Sequence, residues 1–390
     1  MLLSRTLSPH IQELIRYFPI VSLTGPRQAG KTTLLRFLFP DYKYVSLENP
    51  DDRAFAQQDP NSFLEKYAEK VIFDEAQRVP DLFSYLQTKV DMSGQKGQFI
   101  LSGSQNFLLR KNITQSLAGR VGMVRLFPFS YQELVRSEVP PVSMEETIYR
   151  GFYPALFDTG IPPALYYPNY IETYLQRDVS SLITPKNMGQ FQRFLRLCAG
   201  HVGQLVNYNS LANKVGVSLP TAKNWLSILE QSYIIFQLSP YFRNFNKRIV
   251  KTPKLYFYDT GLACHLLQMR SAADVDVYYQ KGALFENMVV AELFKQAYHR
   301  NQRPNFYFWQ DSNRNEIDLL WEELPALKLL EIKASRTLMP RSFKNLQKMS
   351  VALGEQPHEL NLVYGGDEDQ IRQGGNVNVV SWRHLGQLKI

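Results

Sequence analysis

The stretch GPRQAGKT, residues 25–32, decides how the first part of the chain folds. It fits the pattern of a glycine, four residues and then Gly-Lys-Thr. An apolar run, PIVSLTG, leads into it, and a helical stretch from Lys31 to Phe39 leaves it. Gly25 and Gly30 permit a tight wrap whose backbone amides face a phosphate at the positive end of that helix. In such a loop the Lys31 ammonium reaches the β- and γ-phosphates and the Thr32 hydroxyl ligates magnesium. Gly25, Pro26, Arg27, Gln28, Ala29, Gly30, Lys31, Thr32 and Thr33 are therefore the expected ATP-binding residues, and ATP with Mg2+ the expected ligand.

Outward from this loop the chain alternates strand-like and helical runs. YKYVSLE, KVIFDE and QFILSGS follow in turn, the rhythm of βαβ units and a largely parallel sheet. KVIFDEAQ places Asp74 and Glu75 at the end of an apolar strand. Asp74 is expected to hold the metal together with Thr32, and Glu75 to polarise the attacking water. At the end of QFILSGSQ, Ser104 or Gln105 is a candidate γ-phosphate sensor or part of a simple turn. In SLAGR, Arg120 is a candidate catalytic arginine acting across a subunit interface, with an exposed side chain or a DNA contact as the other readings.

At 390 residues the chain is too long for one typical core. Its 44% apolar content is that of a globular protein. Cys198 and Cys264 lack paired spacing and the six histidines form no ligand motif, so neither a zinc site nor a disulfide framework is expected. The sequence shows no signal core and no run of about 20 apolar residues, so a cytoplasmic protein with no membrane partner is expected. The net charge of +8 favours an anionic partner. Part of it lies in PYFRNFNKRIVKTPK, residues 240–254, where Arg243, Lys247, Arg248, Lys251 and Lys254 are interleaved with aromatics.

A proline- and acid-containing connector, SEVPPVSMEE, breaks the alternating pattern. Beyond it, a short helix from Ser210 to Val215, a turn at Gly216, a second helix capped by Thr221, and the strands YIIFQL and KLYFYD read as a winged helix. Such a module inserts its second helix into the major groove. Lys223 would then meet phosphate and Asn224 a base edge, with Arg243, Lys247, Arg248 and Lys251 supplying salt-dependent affinity for DNA. Docking of a protein is the competing reading.

GPRQAGKTTLL, YVSLENP, IFDEAQRVPDLF, FILSGSQNFLL, SLAGRV and LFPFSYQEL, in this order, closely resemble the prokaryotic AAA-type ATPases that carry a fused C-terminal domain of unknown function. TYLQRDV, LANKVGVSLPTAKNWLSILEQSYIIFQL, KLYFYDTGLAC and GALFENMVVAEL resemble that fused part. The resemblance implies ATP binding and hydrolysis, a winged-helix middle and a restriction-endonuclease-like end. The expected fold is α/β: a P-loop AAA-type parallel-sheet domain over 1–136, a helical winged-helix domain over 137–268, and a small restriction-endonuclease-like α/β domain over 269–390. Self-association into a homo-oligomer rests on Arg120 and on this resemblance.

In LLEIKAS, residues 329–335, strand alternation puts Leu329, Glu331 and Lys333 on one face, as NEIDLLW does Glu316 and Asp318. Glu286 on a helix, Asp318 on a strand, then Glu331 and Lys333 on the next, form a series that resembles the PD-(D/E)xK nuclease fold. That resemblance implies carboxylates that hold magnesium and a lysine that orients water. A buried ion-pair network uses the same side chains, so two readings stand.

Overall fold

The computed structural model describes residues 3–104, 116–139, 142–174, 179, 182–183, 187–241, 251–370 and 377–388. The apolar runs around the glycine loop form strands β1 (Ile20–Thr24), β2 (Lys43–Ser46), β3 (Val71–Asp74), β4 (Phe99–Gly103) and β5 (Val121–Arg125). They build an all-parallel sheet in the order β2-β3-β4-β1-β5. Every residue of β1, β3 and β4 is buried, as a sheet covered on both faces requires. Helices α1 (Ser8–Tyr17) and α2 (Lys31–Leu38) pack Ile11, Leu34 and Leu35 on one face. Helices α3 (Pro50–Gln58), α4 (Pro60–Lys66) and α5 (Leu82–Ser93) pack Ala56, Phe63, Phe83 and Leu86 on the other. Because all five strands run the same way, the segments leaving β1, β3 and β4 emerge along one edge, and the glycine loop meets Asp74, Glu75 and Ser104 there.

Next come α6 (Tyr131–Arg136), α7 (Met144–Arg150), α8 (Ala155–Asp158), α9 (Pro163–Tyr174), α10 (Met188–Ala199), α11 (Tyr208–Val215) and α12 (Leu219–Gln231). Strands β6 (Ile235–Leu238) and β7 (Lys254–Phe257) then pair as an antiparallel ribbon. Gly216, with φ 77°, closes α11 in the left-handed conformation that favours glycine. The cap of α12 differs from the expected Thr221. Ser218 accepts the Thr221 amide proton and Pro220 sits in the first turn, so the helix starts earlier and Thr221 lies inside it. Ser218→Ala is expected to cost about 1 kcal/mol in chemical denaturation. Thr221→Ala is expected to stay within about 0.5 kcal/mol, and the reverse ranking would restore Thr221 as the cap.

The last part contains α13 (Thr260–Leu266), α14 (Ala272–Val277), α15 (Lys281–His299), strands β8 (Phe306–Gln310), β9 (Glu316–Glu323) and β10 (Ala326–Lys333), α16 (Lys344–Leu353), and strands β11 (His358–Tyr364) and β12 (Val377–Ser381). The sheet order is β12-β11-β10-β9-β8, antiparallel from β8 to β10 and parallel from β10 to β12. Leu330 and Ile332 face the core that includes α15, whereas Leu329 faces the core under α16. One apolar core runs from Leu3 and Phe127 through Trp225 and Tyr256 to Leu293 and Trp382, so all three stretches of the chain share it. Among the described residues no helix is long and apolar enough to cross a membrane. Cys198 and Cys264 are buried and free.

Candidate nucleotide site and acidic cluster

The glycine loop is fixed by close backbone contact. A Cβ on Gly25 would stand 1.9 Å from the Leu126 carbonyl oxygen, and Gly30, at φ 90°, opens α2. Lys31, 7% exposed, donates from Nζ to the Gly25 and Pro26 carbonyls at 2.9 and 2.8 Å. The Thr32 hydroxyl donates to Asp74 Oδ2 at 2.8 Å, and the Tyr44 hydroxyl donates to the same oxygen at 2.6 Å. Ser102 donates to the other carboxylate oxygen. Burial, and then the bond to Asp74, push the Tyr44 phenol well above its ordinary pKa, so it stays a donor. Glu75 has φ 54°, a conformation costly for any residue but glycine. That turn lifts its carboxylate clear of β3 to accept from Ser104 Oγ at 3.2 Å and from the Gln77 amide. The set fits Mg-ATP: a hydroxyl and a carboxylate in contact offer the hard oxygens magnesium prefers, and the Lys31 ammonium supplies the positive charge that a phosphate requires.

Arg5 carries no motif in the sequence, yet it locks this loop. Its guanidinium donates to the Ala29 carbonyl at 3.1 Å, the Phe127 carbonyl at 2.6 Å and Glu133 Oε1 at 3.2 Å. Glu133 belongs to a capping box with Ser130 at the start of α6, which SYQE in the sequence encodes. Its carboxylate also accepts from the Thr6 amide at 2.8 Å, and His299 Nδ1 lies 3.5 Å away. Burial alone would raise the Glu133 pKa, but Arg5 and His299 hold it down at about 2. Burial brings His299 down to about 4. Between Arg5 and the start of α2 lies a cavity of about 190 Å³ lined by Leu3, Gly30, Thr33, Phe129, Pro154 and Phe157.

Other expected residues lie elsewhere. Arg120 is not brought to the glycine loop of its own chain. Its backbone carbonyl bonds the Ile20 amide at the opposite edge of the sheet, and its guanidinium grips Asp91 at 2.5 and 2.8 Å. Lys223 and Asn224 stand exposed on α12, and Lys251 is exposed before β7. Arg243, Lys247, Arg248 and Gln105 lie outside the described residues.

The C-terminal acids do converge. Carboxylate oxygens of Glu286 on α15 and of Glu316 and Asp318 on β9 lie within 4.8 Å of one another. Lys333 Nζ is 2.6 Å from Glu331 Oε2 and 3.5 Å from Asp318 Oδ2, and the Ile332 amide donates to that same Asp318 oxygen at 2.7 Å. Burial, and next the Asp318 charge, raise the Glu331 carboxyl well above the usual carboxylate range. Burial similarly brings Glu286 up to about 7, against the pull of Lys254. Lys254, the last residue of the basic run and outside the expected DNA-contacting set, is 3% exposed and reaches into the acids, with Tyr256 beside it. Strand alternation carries that signal, because Lys254 and Tyr256 share a face of KLYFYD.

A parallel sheet with a phosphate-type loop after β1 and an acidic pair at the end of β3 defines an AAA-type P-loop ATPase domain. The AAA domain family model matches residues 17–135. Two families described only as domains of unknown function, DUF8612 and DUF4143, match residues 142–273 and 281–385. The uncharacterized protein Rv2008c of Mycobacterium tuberculosis is 31% identical over 369 residues, spanning 93% of this chain and 80% of that one. The chain belongs to the family of that protein, and in this chain the AAA domain is followed by the two domains of unknown function. The uncharacterized protein MJ1544 of Methanocaldococcus jannaschii is 21% identical over 88% of this chain and 81% of its own. Among solved structures, the Walker-type ATPase paby2304 of Pyrococcus abyssi is similar at a TM-score of 0.41 and 15% identity, over 67% of this chain and 94% of that one.

Proposed function

We propose that the chain binds Mg-ATP on residues 25–33 and hydrolyses it, and that this cycle governs a DNA-binding, nuclease-like C-terminal half. The contact between the Thr32 hydroxyl and Asp74 at 2.8 Å, beside a Glu75 turned out of its strand, carries the reading. Lys31 exchanges its loop carbonyls for phosphate oxygens. Thr32 and Asp74 hold the magnesium, which when bound neutralises charge on the phosphates. Glu75 accepts the proton of the attacking water, and Ser104, bonded to Glu75, senses whether the γ-phosphate is present. The cavity beside Gly30 and Thr33 takes the base, with Phe129 and Phe157 as apolar walls. Arg120 serves this chemistry only if a second copy presents it, since in its own chain it stands at the far edge of the sheet.

For the C-terminal half, α10 to α12 followed by the β6-β7 ribbon have winged-helix order, with Lys223 and Asn224 outward on the second helix of the pair. The mixed sheet with acids on α15, β9 and β10 supports a nuclease-type fold, and one fold hosts catalytic and purely binding members alike. An ATPase assay with and without double-stranded DNA tests the coupling. The wild type is expected to turn over ATP faster with DNA, and Lys31→Ala to lose nucleotide binding and turnover together. A rate indifferent to DNA at low salt favours the competing reading, in which α12 and the ribbon dock a protein.

A further inference from the structure

The cluster formed by Glu286, Glu316 and Asp318 has the composition of a divalent-metal site, but its centre is already taken. Lys254 Nζ lies 3.0 Å from Glu286 Oε1 and bonds Glu316 Oε1 more closely still. These are two of the three carboxylates whose oxygens converge within 4.8 Å. A magnesium or manganese ion bridging them would bond each oxygen at about 2.0–2.2 Å. The ammonium therefore holds the volume and supplies the charge such an ion would bring, and the two exclude each other. The carboxylates do not fit a divalent ion while Lys254 is in place.

The backbone that carries Lys254 is held on two sides. It pairs with Leu238 on β6 and bridges Leu205, and the neighbouring Pro253 carbonyl accepts from the Val206 amide at 2.8 Å. The Lys254 ammonium also lies 5.5 Å from the Phe308 ring centroid, within cation–π range. Withdrawal of the ammonium gives up both carboxylate contacts and the ring contact. Beside the cluster, Glu331, its side chain 1% exposed, is held through one carboxylate oxygen by Lys333, so the neighbouring acid is also met by a lysine and not by a metal.

We propose that Lys254 is the resident cation of this cluster, a lysine tethered on the ribbon in the place of a divalent metal, and that it keeps the nuclease-type centre closed to metal in this conformation. The proposal is independent of ATP binding and replaces the magnesium that the C-terminal acids imply by resemblance.

The test titrates Mn2+ into nucleotide-free, full-length protein and follows the free ion by electron paramagnetic resonance. The wild type is expected to show no Asp318-dependent uptake up to about 1 mM. Lys254→Met is expected to gain a single site tighter than that, and Lys254→Met/Asp318→Asn to lose it. Lys254→Gln, which keeps a polar donor in the cavity, repeats the measurement if the methionine variant does not fold. Uptake by the wild type that vanishes in Asp318→Asn overturns the proposal, as does a folded Lys254 variant that gains no site. A wild-type melting temperature raised by Mn2+ over chelator through Asp318 overturns it as well, and that arm needs no Lys254 variant.

Discussion

Glu75→Gln is expected to lower ATP turnover by about 10²- to 10⁴-fold while nucleotide binding persists. The substitution keeps size and shape and removes the oxygen that can take a proton. Nothing that holds the phosphates is disturbed, because Lys31 leans on the Gly25 and Pro26 carbonyls and Thr32 on Asp74, none of which touches Glu75 Oε2. That oxygen accepts from Ser104 and Gln77, and an amide oxygen in its place accepts the same protons. Phosphate release measures the turnover, and displacement of a fluorescent nucleotide measures the binding. A variant that hydrolyses within a few-fold of wild type sends the role of base to another group.

Glu133→Ala is expected to lower the free energy of unfolding by about 3–5 kcal/mol, the cost of leaving a buried partner charge uncompensated. The stranded charge is Arg5, whose side chain is 5% exposed against 1% for Glu133. Denaturant titration reads the loss. The same network sets an acid limit. His299 has a folded pKa of about 4, below its ordinary 6.5, so the fold prefers it neutral. Its contribution is complete above pH 6.5 and is lost as pH falls through about 4. Glu133 follows: its folded value of about 2 lies below the ordinary 4.5, and its contribution is lost as pH falls from 4.5 toward 2. Stability should therefore fall with pH in two overlapping stages, and Glu133→Gln should flatten the lower one. A wild-type profile flat from pH 7 to 4 would remove His299 from the account.

The buried strands β1, β3 and β4 were legible because each is a short apolar run bounded by turn residues, and their placement follows from the parallel rule. The glycine loop and Asp74–Glu75 were legible for a different reason, since that chemistry demands particular residues at a particular spacing. Arg5 was hidden because its partners are mostly backbone carbonyls of residues 24 and 122 positions away, and carbonyls have no sequence identity. The inward turn of Lys254 was not legible, because a basic run does not say which of its members the ribbon buries. Thr221 was misjudged by one helical turn because Ser218 and Thr221 are both capping residues, and Pro220 decides between them. Strand β12 was missed because its place at the sheet edge beside β11 depends on pairing and not on its own pattern.

Helix α15 bears on how chains of this kind can diverge. Near its start Glu286 is bound to the ribbon through Lys254 and Tyr256. Further along, Glu292 receives the Tyr131 and Gln132 amides, Lys295 donates to the Phe129 carbonyl, and His299 receives the Phe127 amide. From Glu286 to His299 the helix covers about 20 Å. A crossover between distant cousins anywhere from residue 127 to residue 299 would mate one ancestor's docking surface with the other's side chains, leaving buried charges mismatched. Such recombinants are expected to be purged, and the three stretches are therefore expected to descend as one heritable block, with compensating changes on both sides of α15 together.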